Sequence, residues 1–191
     1  SSDASTNLMA CAQFCTKSNK AGVYVVMHDT SGDDSFAVHI GSRVRKMHTS
    51  RRDAFKSINT VPAANIDKDW KITLNMDLPS KRDGKVIVKE GMCSKTVLLQ
   101  YYPGMDSALF EDVFMKSEGV VIAGSGLGHV NENMIPLIEK AVKNGTIVVM
   151  TSQCINGQTN MNVYNTGRDL ISAGVISVFD MLPETAYVKL S

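Results

Sequence analysis

GVVIAGSGLGHVNENMIPLIEKAVKNGTIVVM, residues Gly119–Met150, reads as one strand–helix–strand unit. Val120, Val121 and Ile122 form a short β-branched run, the pattern of a strand buried on both faces of a parallel sheet. Gly124-Ser-Gly-Leu-Gly128 follows at once, where the chain must turn tightly and bring its backbone close to something. Asn131 or Asn133 suits the N-cap of the next helix, and Pro136 then falls in its first turn. Met134, Ile135, Ile138, Ala141 and Val142 recur at helical spacing. Asn144-Gly145 is a left-handed stop, and Thr146–Met150 a second strand.

The glycines invite a dinucleotide-binding reading, but the spacing is GxGxG, not GxGxxG. The acidic ribose partner belongs about 20 residues further on, and the strand Thr146–Met150 has no carboxylate. The other reading is a loop at the carboxyl edge of an open α/β sheet, where such folds place their ligands.

Working outward, the 191 residues suit one domain or two small ones, and 43% hydrophobic content is enough for an ordinary core. A net charge of +1 gives no bias toward nucleic acid or membranes. No apolar run is long enough to span a bilayer, and the N-terminus lacks a signal-peptide layout. The four cysteines form no CxxC pair; Cys11 and Cys15 read as buried small hydrophobes, and a reduced, cytoplasmic setting fits them. Both ends read as cut, so the chain is expected to be a fragment.

Toward the N-terminus, Asp3 or Ser5 caps a helix to about Lys17, with Leu8, Ala12 and Cys15 inward. Val23–Met27 is a strand. Phe36–Ile40 and Arg43–Met47 read as an antiparallel pair, and Ala54-Phe-Lys56 as a helical turn. Asn65–Asp67, Trp70–Asn75 and Lys85–Lys89 read as strands, and Leu78–Gly84 is the most linker-like segment. Thr96–Tyr102 is a strand, Asp106–Lys116 an amphipathic helix, Arg168–Ala173 a short helix, Val175–Ile176 a strand, and Pro183 opens a last helix. Alternating strands and helices make this an α/β protein.

Arg43, Arg45, Lys46, Arg51 and Arg52 place five formal positive charges in ten residues. A solvated basic edge is the plain reading. The alternatives are a lysine tuned for proton transfer by its neighbours, or a phosphate-contacting patch.

Taken together, the stretches resemble one family. Val23–Thr30, Val44-Arg-Lys-Met-His-Thr49 and Ala54–Asn59 follow the order seen in bacterial-type L-asparaginases, and Gly119–Val130 is similar to their second domain. The finer resemblance is to the D-subunit family of the archaeal glutamyl-tRNA(Gln) amidotransferases. It is carried by Tyr101–Met105, Gly126–Val130, Val149–Cys154, Asn162–Leu170 and Asp180–Ala186, and covers essentially the whole chain.

The resemblance implies an asparaginase-like fold: a partial, Rossmann-like N-terminal domain at 1–78, a linker at 79–94 and a smaller, flavodoxin-like parallel-sheet domain at 95–191, truncated at its end. It implies hydrolysis of L-glutamine, or L-asparagine, by a threonine helped by a second threonine, an aspartate and a lysine. A hydroxyl is a weak nucleophile until a base takes its proton. The family lysine falls on Lys46, with Arg43, Arg45 and Arg51 favouring its neutral form. The TGGT-like and GTDT motifs that carry the other three groups do not occur in these 191 residues, so the chain alone is expected to be inactive. The glycine loop is implied to reach a neighbouring protomer's active site, Gly128 and His129 meeting the substrate's amino end. A histidine merely packed near the helix start is the competing reading for His129. Gln153–Tyr164 holds another contact across the same interface, not assigned to one residue.

Further implications are a homodimer, the amidotransferase's E subunit as partner, tRNA(Gln) reached through that complex, no cofactor in this chain, and ATP and Mg used by the partner. The alternatives are a free-standing L-asparaginase and a non-catalytic interaction fragment.

Overall fold

The structure is a computed structural model that describes residues 3–85, 87–88 and 90–191. The chain divides between Ile87 and Val88 into two compact units. The strand read at Lys85–Lys89 lies partly outside the described residues.

The first unit begins with α1 (Ala4–Lys17). Its inner face is Asn7, Ala10 and Phe14, with Cys11 packed beside them. Leu8 is 71% exposed, and Ala12 and Cys15 also face outward, so the predicted inner face is one step out of phase. Phe14 decides the matter. As the largest apolar side chain of the helix it must be buried, and counting back by three, four and seven gives Cys11, Ala10 and Asn7.

Strands β1 (Tyr24–His28), β2 (Ser35–Ile40), β5 (Ala64–Asp67) and β6 (Ile72–Leu74) make one sheet in the order β1-β2-β5-β6, each neighbouring pair antiparallel. Val26, Phe36, Val38 and Ile66 close a core against α1. The strands β3 (Val44–Lys46) and β4 (Phe55–Ser57) form a separate two-stranded ribbon. Phe36–Ile40 therefore pairs with Tyr24–His28 and not with the 43–47 stretch, which a 3-10 turn at Gly41–Arg43 carries off into the separate ribbon. Ala54-Phe-Lys56, read as a helical turn, lies instead largely in β4; three residues carry too little periodicity to separate the two. Residues 78–80 belong to this unit: Leu78 is buried, the Pro79 carbonyl accepts from the Ala21 amide at 2.8 Å, and Ser80 bridges Lys20.

The second unit is the parallel α/β layer. Strands β7 (Thr96–Gln100), β8 (Gly119–Gly124), β9 (Ile147–Ser152) and β10 (Ile176–Ser177) stand in the order β10-β9-β8-β7, all neighbours parallel. Between them run α2 (Glu111–Lys116), α3 (Ile135–Lys143) and α4 (Asn165–Ser172), and α5 (Pro183–Leu190) follows β10. Strand alternation separates two apolar layers. Val120, Ile122, Val148 and Met150 pack with Phe114, Ile138 and Leu170 of α2, α3 and α4, whereas Val121 and Val149 pack with Ala186 of α5. Every residue of β8 is buried, as its β-branched run predicts. The α/β class thus holds with a mixed arrangement, antiparallel in the first unit and parallel in the second.

One helix start differs from expectation. Neither Asn131 nor Asn133 caps α3. Asn131 Oδ1 accepts from the Tyr101 hydroxyl, the Asn133 amide donates to the Met105 carbonyl at 3.4 Å, and a short 3-10 turn at Glu132–Met134 leads in instead. The amides are spent on holding the β7–α2 connection. α3 ends as predicted, with Gly145 at φ 97°.

Candidate functional site

The glycine turn leaves the carboxyl end of β8 and is closed by one loop on itself. Ser125 donates its amide to the His129 carbonyl at 2.9 Å, and the Ser125 carbonyl accepts from the amides of Gly128 and His129, both at 3.0 Å. Gly128 sits at φ +98°, and a Cβ there would come within 2.9 Å of Met150 Cγ and 3.0 Å of Thr159 Cγ2. Only glycine suits both the left-handed backbone and this close approach. Gly126 is also left-handed, at φ +50°, but faces open space.

Neighbouring loops brace the turn. The Ser152 hydroxyl, at the end of β9, donates to the Gly126 carbonyl at 2.5 Å, the Gln153 amide to the Gly124 carbonyl at 2.9 Å and the Asn160 amide to the Leu127 carbonyl at 2.9 Å. The Gln153 side chain donates to the carbonyls of Tyr101 and Ala123, tying three strand ends together. Thr159 Oγ1 lies 2.7 Å from Ser177 Oγ of β10. In the sequence these amides and hydroxyls are legible only as a polar loop; their use as struts depends on the strand order.

His129 ends the turn with its side chain among residues of α4 and the loop before it. Thr166 Oγ1 is 3.3 Å from Nδ1, and the Tyr164 ring meets the imidazole edge-on at 5.3 Å between centroids. Nε2 is buried with no hydrogen-bond partner among the described residues. Burial pushes the imidazole below its ordinary pKa range, which favours the neutral ring. A buried nitrogen without a partner costs about 1–3 kcal/mol.

Lys46 belongs to the first unit, Gly128 and His129 to the second. Lys46 ends β3, opposite Phe55, and its ammonium lies 5.9 Å from the centroid of that ring. The side chain is exposed. The basic run is not a uniform positive edge. Arg51 forms a two-pronged pair with Asp53, at 2.9 and 2.8 Å, and Arg52 meets Asp33 at 2.8 Å. The Arg51 guanidinium holds the Asp53 carboxyl below its ordinary pKa range, as the His28 and Arg52 hydrogen bonds do for Asp33. The resemblance sets Arg43, Arg45 and Arg51 beside Lys46; the fold gives Arg51, and Arg52 with it, to carboxylates.

Behind the ribbon, the main sheet carries two fully buried histidines. His28 Nε2 lies 2.8 Å from Asp33 Oδ1, and His39 Nδ1 lies 2.8 Å from Ser57 Oγ. Burial lowers the His39 pKa to about 4, against an opposing pull from Asp29. Neither histidine stands out in the sequence, because an alternating strand hides which of its polar residues point inward. Among the described residues no group of His, Cys, Asp and Glu is arranged to hold a metal ion, and no helix is long and apolar enough to cross a membrane. All four cysteines are free; Cys15 is exposed, contrary to its reading as a buried hydrophobe.

These two units match two halves of one known architecture. Residues 1–79 match the family described as asparaginase, N-terminal, and residues 95–191 match the glutaminase/asparaginase C-terminal domain. The chain belongs to the glutaminase/asparaginase family. Among its relatives, the glutamyl-tRNA(Gln) amidotransferase D subunit of Thermococcus kodakarensis is 51% identical over 192 residues, covering 100% of this chain and 43% of the relative. The corresponding D subunits of Pyrococcus furiosus and Methanopyrus kandleri are 50% and 46% identical, again over 100% of this chain and 44% and 43% of theirs. The chain therefore spans less than half the length of these curated relatives. A solved thermostable L-asparaginase from Thermococcus kodakarensis superposes with a TM-score of 0.85 at 26% identity, over 98% of this chain and 55% of that one. L-asparaginase I from Vibrio cholerae gives 0.80 at 27%, with the same coverage.

Proposed function

We propose that this chain is the portion of a tRNA-dependent amidotransferase's glutaminase subunit that supplies the proton-handling lysine and the substrate-capturing loop. The enzyme releases ammonia from L-glutamine, and a partner, the E subunit, uses it with ATP and Mg to convert Glu-tRNA(Gln) to Gln-tRNA(Gln). Lys46 holds an aspartate and assists removal of a proton from the nucleophilic threonine. Gly128 and His129 meet the amino end of the substrate across a homodimer interface. This chain needs no cofactor of its own, and the setting is cytoplasmic. The observation that carries the reading is the identity of about half the residues, over the whole chain, to proteins named for that D subunit.

The site supports it chemically. Gly128 lets the backbone approach a ligand, and His129 beside it ends the same turn. The likeness to solved L-asparaginases favours a second reading, a free-standing amidohydrolase acting on L-asparagine. The test is ammonia release by the full chain from glutamine and from asparagine, with and without the E subunit and Glu-tRNA(Gln). Glutamine-dependent formation of Gln-tRNA(Gln) supports the first reading. Asparagine turnover with no amidation in the complete mixture supports the second.

A further inference from the structure

Among the described residues the β3–β4 ribbon that carries Lys46 pairs with no other strand, so the sheet ladders leave its seat on the main sheet unspecified. Side chains set it. Ser57 meets His39, and the Lys56 ammonium donates to the Asp29 carbonyl at 3.2 Å. At the turn end, Arg52 Nη1 donates to Asp33 Oδ1 at 2.8 Å, and that same oxygen lies 2.8 Å from Nε2 of His28.

The turn itself is stiff. Met47 donates its amide to the Ala54 carbonyl at 2.6 Å, closing the ribbon one residue beyond Lys46. Within it, His48 Nδ1 accepts from the amides of Ser50 and Arg51, both at 3.1 Å, and Arg51 is locked onto Asp53. A displacement at Arg52 is therefore passed along the ribbon to Lys46 and is not absorbed in a slack loop.

The exposure of this relay is lopsided. The His28 side chain is 0% exposed, Asp33 57% and Arg52 32%. An ion pair that wet adds little to folding stability. Yet a fully buried imidazole on β1 is aimed at its carboxylate, which fixes where the oxygen stands. The arrangement is weak as a brace for the fold and strong as a directional stop.

We propose that Asp33 is a positioning residue for Lys46: held from the sheet by His28, it holds Arg52 and so sets how the ribbon presents the lysine. This rests on the reading of Lys46 as the proton-handling lysine, and the experiment separates the two.

Glutaminase kinetics and thermal unfolding are measured on the full chain carrying Lys46→Ala, Asp33→Asn, Asp33→Leu or Arg52→Met. Asn keeps an oxygen that accepts from both partners; Leu has similar size and none. Asp33→Leu and Arg52→Met lower kcat about tenfold or more, as loss of catalytic alignment does, with KM for glutamine within about twofold and Tm close to that of the parent. Asp33→Asn recovers most of kcat, and combining Asp33→Leu with Arg52→Met costs less than the sum of the two, since the pair shares one hydrogen bond. If Lys46→Ala abolishes turnover while Asp33→Leu leaves kcat unchanged, the positioning role is wrong and Lys46 stands. A fall in kcat matched by a fall in Tm, or equal loss in the Asn and Leu variants, also overturns it. If Lys46→Ala leaves turnover unchanged, the lysine's own role is lost, and the proposal with it.

Discussion

His129 and Thr166 meet across 37 residues of sequence, with the hydroxyl 3.3 Å from Nδ1. The contact turns the ring so that its other nitrogen, Nε2, is the one left without a partner among the described residues.

That orientation makes His129→Ala informative. In the full chain, KM for glutamine rises roughly 10- to 100-fold, the equivalent of one hydrogen bond to a charged group. His129→Asn, which keeps a short polar acceptor, loses less. Steady-state ammonia release decides the point: unchanged KM and unchanged turnover in His129→Ala return the residue to simple packing.

Lys46→Ala in the full chain lowers turnover by about two to four orders of magnitude if the lysine assists proton transfer. Its side chain is exposed, so unfolding free energy changes little. A loss within a few-fold makes Lys46 one more charge on the ribbon.

The 191-residue chain by itself releases no ammonia from excess glutamine or asparagine, because the TGGT-like and GTDT motifs do not occur in it. It also fails to bind NAD, since no carboxylate follows the glycine turn in Thr146–Met150. Isothermal titration and a coupled ammonia assay test both; micromolar NAD affinity, or turnover abolished by Lys46→Ala, contradicts these expectations.

Stability should fall on mild acidification, and His39 is the cause. Its side chain is buried, and burial lowers its pKa to about 4 from 6.5. Between those values the unfolded chain binds a proton that the folded chain does not. The stabilisation is complete above about pH 6.5 and is lost as pH falls toward 4, an effect of about 3 kcal/mol at most. Urea unfolding at pH 7.5, 5.5 and 4.5 measures it, and His39→Gln flattens the slope. Equal slopes in parent and variant would place the acid sensitivity elsewhere.

The second unit is the more legible from sequence, and the reason is physical. The run Val120–Ile122, the stop at Gly145 and the start at Pro183 are local signals that tertiary structure reinforces. In the first unit the decisive facts are long-range. Nothing near Phe36 says that it faces His28 and not the 43–47 stretch, and nothing near Leu8 says that Phe14 outranks it. The candidate residues Lys46, Gly128 and His129 come from resemblance alone. The carboxylates that meet Arg51 and Arg52, and the Thr166 contact to His129, require the fold.

Because β7 to β10 stand side by side in chain order and run the same way, every strand of the second unit discharges its following loop onto one edge. The apolar layers that hold the unit together lie away from that edge. A loop such as Gln153–Tyr164 is anchored at its start by the Gln153 amide on the Gly124 carbonyl, and near its end the Tyr164 carbonyl accepts from the Arg168 amide at 3.2 Å. Doubling the length of such a loop costs only about 0.6 kcal/mol in closure entropy. The residues of that edge can therefore change while the sheet beneath is left untouched.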